Sequence, residues 1–261
     1  MVVAFSGGID STVLLALAHG TMGSETIAAT AVSDIHPRWE LDQAEAFVRE
    51  KKVRHLLFPS REMTLPEFTA NRKDRCYHCK RHLFHTLSQI AEEAGIRQVV
   101  HGANLDDLGD YRPGMRAAQE MGVRAPLVEA GMDKAAVRSL AEEMGLDRWN
   151  RPSNACLATR IPYGTTITPE RLQMVDRAET VLLSMGLQGC RVRHHETIAR
   201  LELDEAGMAR MGSADLRKRL VTRLRDIGFH HVTVDLEGYV SGSMNRGLEF
   251  GSEFEREGVN A

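Results

Sequence analysis

Along the first two-thirds of the chain, short apolar runs alternate with amphipathic stretches. Met1–Phe5, Thr26–Val32, Arg54–Phe58 and Gln98–His101 read as buried strands, and Ala125–Val128 as a short fifth. Ser11–His19, a stretch around Pro37–Lys51 and Tyr77–Ala94 read as helices, with Gly95 stopping the last. Asp133 is placed to cap a helix whose Val137, Leu140, Ala141 and Met144 share a face, ending at Gly145. This alternation predicts a Rossmann-like α/β fold, a parallel sheet flanked by helices. Such a sheet takes its ligand at the carboxyl ends of the strands.

The pattern changes after about Trp149. Pro152, Pro162 and Gly164 break the stretch 151–167. Thr168 and Pro169 are a cap and first-turn proline for a helix carrying Leu172, Val175, Val181, Leu182 and Met185. Strands at Cys190–His194 and Ile198–Leu203, a helix over Ala214–Gly228 and a strand at His231–Leu236 come next. This order predicts a small α+β domain of split-βαβ type. The expected division is therefore 1–150, 151–246 and a polar tail, 247–261, expected to be disordered. The tail contains Glu-Phe-Gly-Ser-Glu-Phe, which reads as a cloning scar. The first strand opens at Met1, so an N-terminal element is expected to be missing.

Composition narrows the function classes. The 261 residues carry a net charge of −3, with 43% hydrophobic and 26% charged side chains. No apolar run approaches the roughly 18 residues of a membrane span. The N-terminus lacks the basic region of a secretory signal. A cytoplasmic protein with no membrane partner is expected. The charge gives no basis for broad nucleic-acid binding. The four cysteines, Cys76, Cys79, Cys156 and Cys190, are too sparse for a disulfide scaffold.

Ser6-Gly7-Gly8-Ile9-Asp10-Ser11-Thr12 follows a strand and opens a helix, the setting for phosphate binding. Gly7 and Gly8 let backbone N–H groups approach phosphate oxygens, and the helix N-terminus adds partial positive charge. Ser6, Ser11 and Thr12 offer hydroxyls, and Asp10 is placed to orient water or Mg²⁺. No lysine follows the glycines, which excludes the Walker A pattern. The motif resembles the pyrophosphatase loop (PP-loop) of enzymes that use ATP to transfer AMP to a substrate oxygen. Arg112 and Arg160 lie on irregular segments within reach of a phosphate in principle. Asn104, Asp106 and Asp107 follow a strand end, where a ligand would sit; loop and cap chemistry is the other reading.

Cys76 and Cys79 form a C-x-x-C, a pattern shared by zinc sites, clusters and redox disulfides. His82 and His85 continue the spacing. On a helix rising about 1.5 Å per residue, however, Cys76 and His85 stand roughly 13 Å apart and cannot share one ion. A further ligand must come from elsewhere, and Cys156 is the natural candidate. Arg151 and Arg160 nearby are expected to favour its thiolate. Cys190 begins an apolar strand and reads as core.

Four further segments complete the set: Arg75-Cys76-Tyr77-His78-Cys79-Lys80, Gly102–Asp107 with Tyr111–Gly114, Ala155–Arg160, and Arg191–His194 with Gly238–Asn245. In this order, with the loop, they resemble the LarE family of ATP-dependent sulfur transferases. That family, of PP-loop (HUP) type, helps make the nickel-pincer nucleotide cofactor of lactate racemase. The resemblance spans about Val2 to Asn245. It implies adenylation of a carboxylate of a pyridinium biscarboxylate mononucleotide, then displacement of AMP by sulfur to leave a thiocarboxylate. In one branch a cysteine matching Cys156 gives up its own sulfur. In another, three cysteines hold a 4Fe–4S cluster with one iron open. Cysteines at all three positions, Cys76, Cys79 and Cys156, imply the cluster-bearing branch. The resemblance also assigns Arg191 and Arg193 to the substrate phosphate, a role suited to the guanidinium fork, with a solvated strand face as the alternative. It implies a homo-oligomer, commonly a hexamer. A tRNA 2-thiolation enzyme of the same superfamily and a non-catalytic nucleotide sensor are the competing readings.

Overall fold

The first strand, β1 (Val2–Ala4), is apolar on both sides, as a central strand of a parallel sheet must be. A computed structural model describes residues 1–109, 113–146, 155–240 and 242–243. After β1 come α1 (Ile9–Met22), β2 (Ile27–Val32), α2 (Arg38–Lys51), β3 (Arg54–Pro59), α3 (Pro66–Thr69), α4 (Arg75–Glu93) and β4 (Val99–His101). Next are α5 (Pro113–Glu120), α6 (Pro126–Glu129), α7 (Lys134–Glu143) and α8 (Pro169–Ser184). The remainder holds β5 (Arg191–His195), β6 (Ile198–Glu202), α9 (Glu205–Arg210), α10 (Ala214–Ile227) and β7 (His231–Val234). The chain forms two compact units, Met1–Arg177 and Ala178–Ala261.

In the first unit the strands pair in parallel in the order β3-β2-β1-β4, with Val2 opposite both Ile27 and Val99. Alternation along β1 sends side chains to two cores. Val3 and Phe5 join Val13, Leu14 and Leu15 of α1, Ala44 and Val48 of α2, and Val137 and Ala141 of α7. Val2 joins Phe84, Leu87 and Ala91 of α4 with Ala117 and Ala118 of α5. Helices thus cover both faces, as the pattern predicts. The chain leaves β1 for its neighbour on one side, β2, and returns to it on the other through β4. That reversal opens a crevice at the carboxyl ends of β1 and β4.

Local signals account for several ends. Asp133 accepts a hydrogen bond from Ala136 N at 2.7 Å, the expected cap of α7. Thr168 Oγ1 accepts from Arg171 N at 3.3 Å at the start of α8. Ala125–Val128, expected as a strand, is not one. Arg124 makes a single parallel bridge to Val100, and the chain then turns into α6. Pro126 explains the difference: it has no N–H for a ladder, and its fixed φ suits the first position of a helix. Helices α5 and α9 also form where no helix was expected.

In the second unit β5 runs antiparallel to β6, and β7 parallel to β6. Helix α10 makes the crossover between β6 and β7, burying Leu216, Leu220 and Leu224 at four-residue spacing. Among the described residues no helix is long and apolar enough to cross a membrane.

Candidate active site

The glycine loop lies in the crevice at the end of β1. Gly7 takes φ +75°, a conformation costly for other residues, and a Cβ there would meet Ala44 Cβ at 3.2 Å. Gly8 caps α1 with extended backbone and no side-chain hydrogen bond. The hydroxyls turn onto the loop itself. Ser11 Oγ and Thr12 Oγ1 each donate to Gly8 O at 2.9 Å, and Ser6 Oγ lies 3.2 Å from Ser11 Oγ. These bonds shape the turn, and the N-terminal N–H groups of α1 supply the partial positive charge that suits an anion at any helix start.

Asp10 is the charged centre of this corner. Its Oδ1 accepts from Asn104 Nδ2 at 3.1 Å, and its Oδ2 forms an ion pair with Lys134 Nζ. Asn104 is 2% exposed and also caps the 3₁₀ turn Leu105–Leu108: its side chain accepts from Asp106 N at 3.0 Å. Its backbone N donates to Asp107 Oδ2 at 3.1 Å. The cap reading of Asn104 therefore holds, and the same side chain also reaches Asp10 of the loop. Asp106 Oδ2 in turn accepts from Lys134 N at 3.1 Å. Gly102 makes the approach possible, because a Cβ on it would stand 2.7 Å from Ser11 N.

Sequence reasoning passed over Lys134. One signal was available: a cation at the first position of a helix opposes the dipole and calls for a compensating anion. Asp10 is that anion, 124 residues away in sequence.

The thiols lie on α4 and on the segment before the 3₁₀ turn Leu157–Arg160. Cys76 and Cys79 are one turn apart on α4, and Cys156 immediately precedes Leu157. Cys79 and Cys156 pack against one apolar cluster that includes Ile35, Phe68, Leu157, Ala158 and Ile161. Burial pushes the Cys79 thiol far above its ordinary range. Lys80 opposes this, while the charges of Cys156, Glu62 and Cys76 add to it. Burial and Cys76 likewise push Cys156 up, against Arg75 and Arg160. The expectation of a favoured Cys156 thiolate is thus overturned: Arg160 pulls in the expected direction, but desolvation outweighs it. Arg151 lies outside the described residues.

Arg160 is 2% exposed, and its Nη1 donates to Ala155 O, Cys156 O and Thr159 Oγ1 at 2.7, 3.3 and 2.9 Å. It braces its own loop. Arg112 lies outside the described residues. Glu62, 1% exposed, accepts from the Ser33 and Ser60 hydroxyls at the carboxyl ends of β2 and β3. Among the described residues no three His, Cys, Asp or Glu side chains form a group arranged to hold a metal ion. The donor chemistry is nonetheless that of a soft metal centre. Cys76 and Cys156 both push the Cys79 thiol up, and Cys76 pushes Cys156 up, a cost that bound iron would offset.

In the second unit Arg191 and Arg193 share one face of β5, as their spacing requires, but they are 6% and 5% exposed. The solvated-face alternative is therefore wrong. Register places Arg191 opposite Glu202 and Arg193 opposite Arg200. Arg193 Nη2 pairs with Glu202 Oε2 at 2.6 Å and donates to Ser243 Oγ at 3.2 Å. The Arg191 guanidinium stacks 4.9 Å from the Tyr239 ring centroid. Arg200 pairs with Glu202 at 3.2 Å and with Asp235. Cys190 is buried, as a core residue would be.

The chain is 38% identical, over 93% of its length and 88% of the relative's, to the pyridinium-3,5-bisthiocarboxylic acid mononucleotide synthase of Lactiplantibacillus plantarum. It belongs to the LarE family. An uncharacterized protein of Synechocystis is 42% identical over 94% of this chain and 92% of its own. A probable tRNA sulfurtransferase of Methanothermobacter thermautotrophicus is 31% identical, over 39% of this chain and 27% of that protein. No family model matches the chain. The first relative is an enzyme by name, so this LarE-family chain is an enzyme, and its distant relatives belong to the ATP-using PP-loop superfamily.

Proposed function

We propose that this chain uses ATP to adenylate a carboxylate of pyridinium-3,5-biscarboxylic acid mononucleotide and then replaces AMP with sulfur. The observation that carries the reading is one compact unit holding both halves of that chemistry. The glycine loop with Asp10, Asn104 and Lys134 lies at the end of β1, and the three thiols lie on α4 and beside Leu157.

In the first step a carboxylate oxygen attacks the α-phosphorus of ATP and pyrophosphate leaves. Ser6, Gly7, Gly8, Ser11 and Thr12 shape the loop that receives the phosphates. The N–H groups of α1 and Lys134 offset charge on the departing pyrophosphate. Asp10, oriented by Asn104, would hold the Mg²⁺ that ATP brings. In the second step a sulfur nucleophile attacks the acyl carbon and AMP leaves. Cys76, Cys79 and Cys156 would hold a 4Fe–4S cluster, which supplies a sulfide that does not come from the protein. Arg191 and Arg193 are assigned to the substrate phosphate. The same reading gives a cytoplasmic homo-oligomer, a hexamer by family resemblance.

The test is anaerobic incubation with ATP, Mg²⁺ and the pyridinium biscarboxylate nucleotide, then mass measurement of product and protein. Gain of sulfur by the product with unchanged protein mass is expected. Loss of one H₂S from Cys156 would replace the cluster route with the sacrificial one. Absence of both pyrophosphate and sulfur gain would refute the assignment.

A further inference from the structure

One buried side chain ties the thiol-bearing helix to the segment that carries the third thiol. Asn71 lies between α3 and α4, is 0% exposed, and takes the left-handed φ of 55°. Its Nδ2 donates to the carbonyl oxygens of Ile161, Pro162 and Thr165 at 3.2, 2.8 and 2.8 Å. An amide nitrogen has only two hydrogens, so at least one is shared between two of these acceptors. Its Oδ1 accepts from Arg75 Nη1. Arg75 is 1% exposed, and its guanidinium lies 4.5 Å from the Tyr163 ring centroid. The backbone reinforces the joint: Gly164 N donates to Asn71 O at 3.0 Å, and Ile167 N to Thr69 O at 2.8 Å.

Both anchors of this joint lie close to a thiol in sequence. Arg75 begins α4, and Cys76 is the next residue. Ile161 comes directly after the 3₁₀ turn that Cys156 precedes. The cysteines are about 80 residues apart in sequence, and Asn71 with Arg75 joins the two segments close to both.

Asparagine answers all the demands of this position. Like aspartate, it tolerates left-handed backbone better than most non-glycine residues. It offers an N–H₂ to a cluster of carbonyls and an oxygen to a guanidinium. Aspartate would keep the shape but turn a carboxylate toward three carbonyl oxygens. Glycine would keep the backbone freedom and drop every side-chain bond.

We infer that Asn71, braced by Arg75, is a positioning residue for sulfur transfer: it sets Cys156 against Cys76 and Cys79. Its catalytic consequence rests on the sulfur-transferase reading; its geometric consequence does not. The glycine loop uses neither residue, so adenylation and sulfur transfer separate in the variants.

The test compares wild type with Asn71→Gly, Asn71→Asp and Arg75→Lys in the full chain. Pyrophosphate release and sulfur transfer are measured on each. In chelator-treated, reduced protein, dibromobimane reports thiol proximity: it joins two thiols with loss of two HBr, and peptide masses identify the Cys76–Cys156 product. Both Asn71 variants should release pyrophosphate within about twofold of wild type. They should lose the cross-link and slow sulfur transfer by ~10- to 100-fold, the scale of an ångström-sized misplacement. Arg75→Lys, which keeps the three carbonyl bonds of Asn71, should show a smaller loss of the same two readouts. It decides the matter should the Asn71 variants fail to fold. Wild-type cross-linking and transfer in the variants would overturn the inference. So would a parallel fall in pyrophosphate release, which marks a general loss of structure. Should wild type itself transfer no sulfur, the functional reading fails, while the cross-link yields still decide the positioning role.

Discussion

Gly102→Ala is the sharpest probe of how the fold builds the adenylating corner. Gly102 follows β4 and faces the first turn of α1. An added Cβ would lie 2.7 Å from Ser11 N, 2.9 Å from Ser11 Cα and 3.0 Å from the Asp10 carbonyl carbon. All three are backbone atoms, so no rotamer change relieves the overlap. Ordinary contact begins at 3.4 Å, and the helix start must move from the strand end by as much as 0.7 Å. Overpacking of this kind costs about 1–3 kcal/mol. At ~2–4 °C per kcal/mol for a chain of this size, a 2 kcal/mol loss lowers the melting temperature by about 4–8 °C. The same movement separates Asp10 from Asn104, whose hydrogen bond is 3.1 Å. Pyrophosphate release should fall by ~10- to 100-fold. Gly114→Ala is the control. Its Cβ would meet Lys80 Cγ at 2.9 Å, and a flexible side chain can swing aside. Gly114 is the second residue of α5, and that variant should melt close to the wild-type temperature. Calorimetry and a coupled pyrophosphate assay at saturating ATP read both effects. A Gly102→Ala enzyme with wild-type melting and wild-type release would refute the claim that this close approach sets the loop.

The site carries three further expected outcomes. Lys134→Met leaves Asp10 without its cation and should cut the rate of pyrophosphate release by ~100-fold, the typical loss for one stabilising donor; an unchanged rate would remove Lys134 from the reaction. Cys156→Ala should abolish sulfur transfer while pyrophosphate release persists, as read by product mass; retained transfer would exclude Cys156 as a sulfur site. His101 is lowered to about 4 by burial and by Lys80. Because the folded chain keeps this imidazole neutral, stability should fall as pH drops from 6.5 toward 4 and the unfolded chain takes up a proton the folded one refuses. The gap is worth up to ~3 kcal/mol. Thermal melts across that range should show a shallower decline in His101→Gln than in wild type, and identical slopes would assign the acid sensitivity elsewhere.

What was legible in the chain was local. Ser6–Thr12 is readable because a glycine turn between a strand and a helix has few physical solutions. The Asp133 cap and the helix over Ala214–Gly228 are readable from short-range spacing. What was missed depends on neighbours far off in sequence. Ala125–Val128 is apolar enough for a strand, but Pro126 diverts it after one bridge. Arg191 and Arg193 alternate as an exposed face would. Only the β5–β6 register supplies Glu202, which lets Arg193 be buried as an ion pair. Spacing alone could not show that Lys134 neutralises Asp10, or that Asn71 reaches Ile161, Pro162 and Thr165.

These long-range ties have a common consequence for the chemistry. Adenylation calls for positive charge at the phosphate loop. On the proposed reading the three thiols hold a cluster, which calls for thiols that keep their protons until iron binds. On the same reading Lys134 and the start of α1, held by Asp10 and Asn104, meet the first need. The second is met by desolvation, which raises Cys79 and Cys156 against the pull of Lys80, Arg75 and Arg160. A free thiolate would be open to oxidants and metals. Burial that outweighs the neighbouring cations keeps the protons on these thiols in the metal-free chain, so their reactivity depends on what binds rather than on local charge alone.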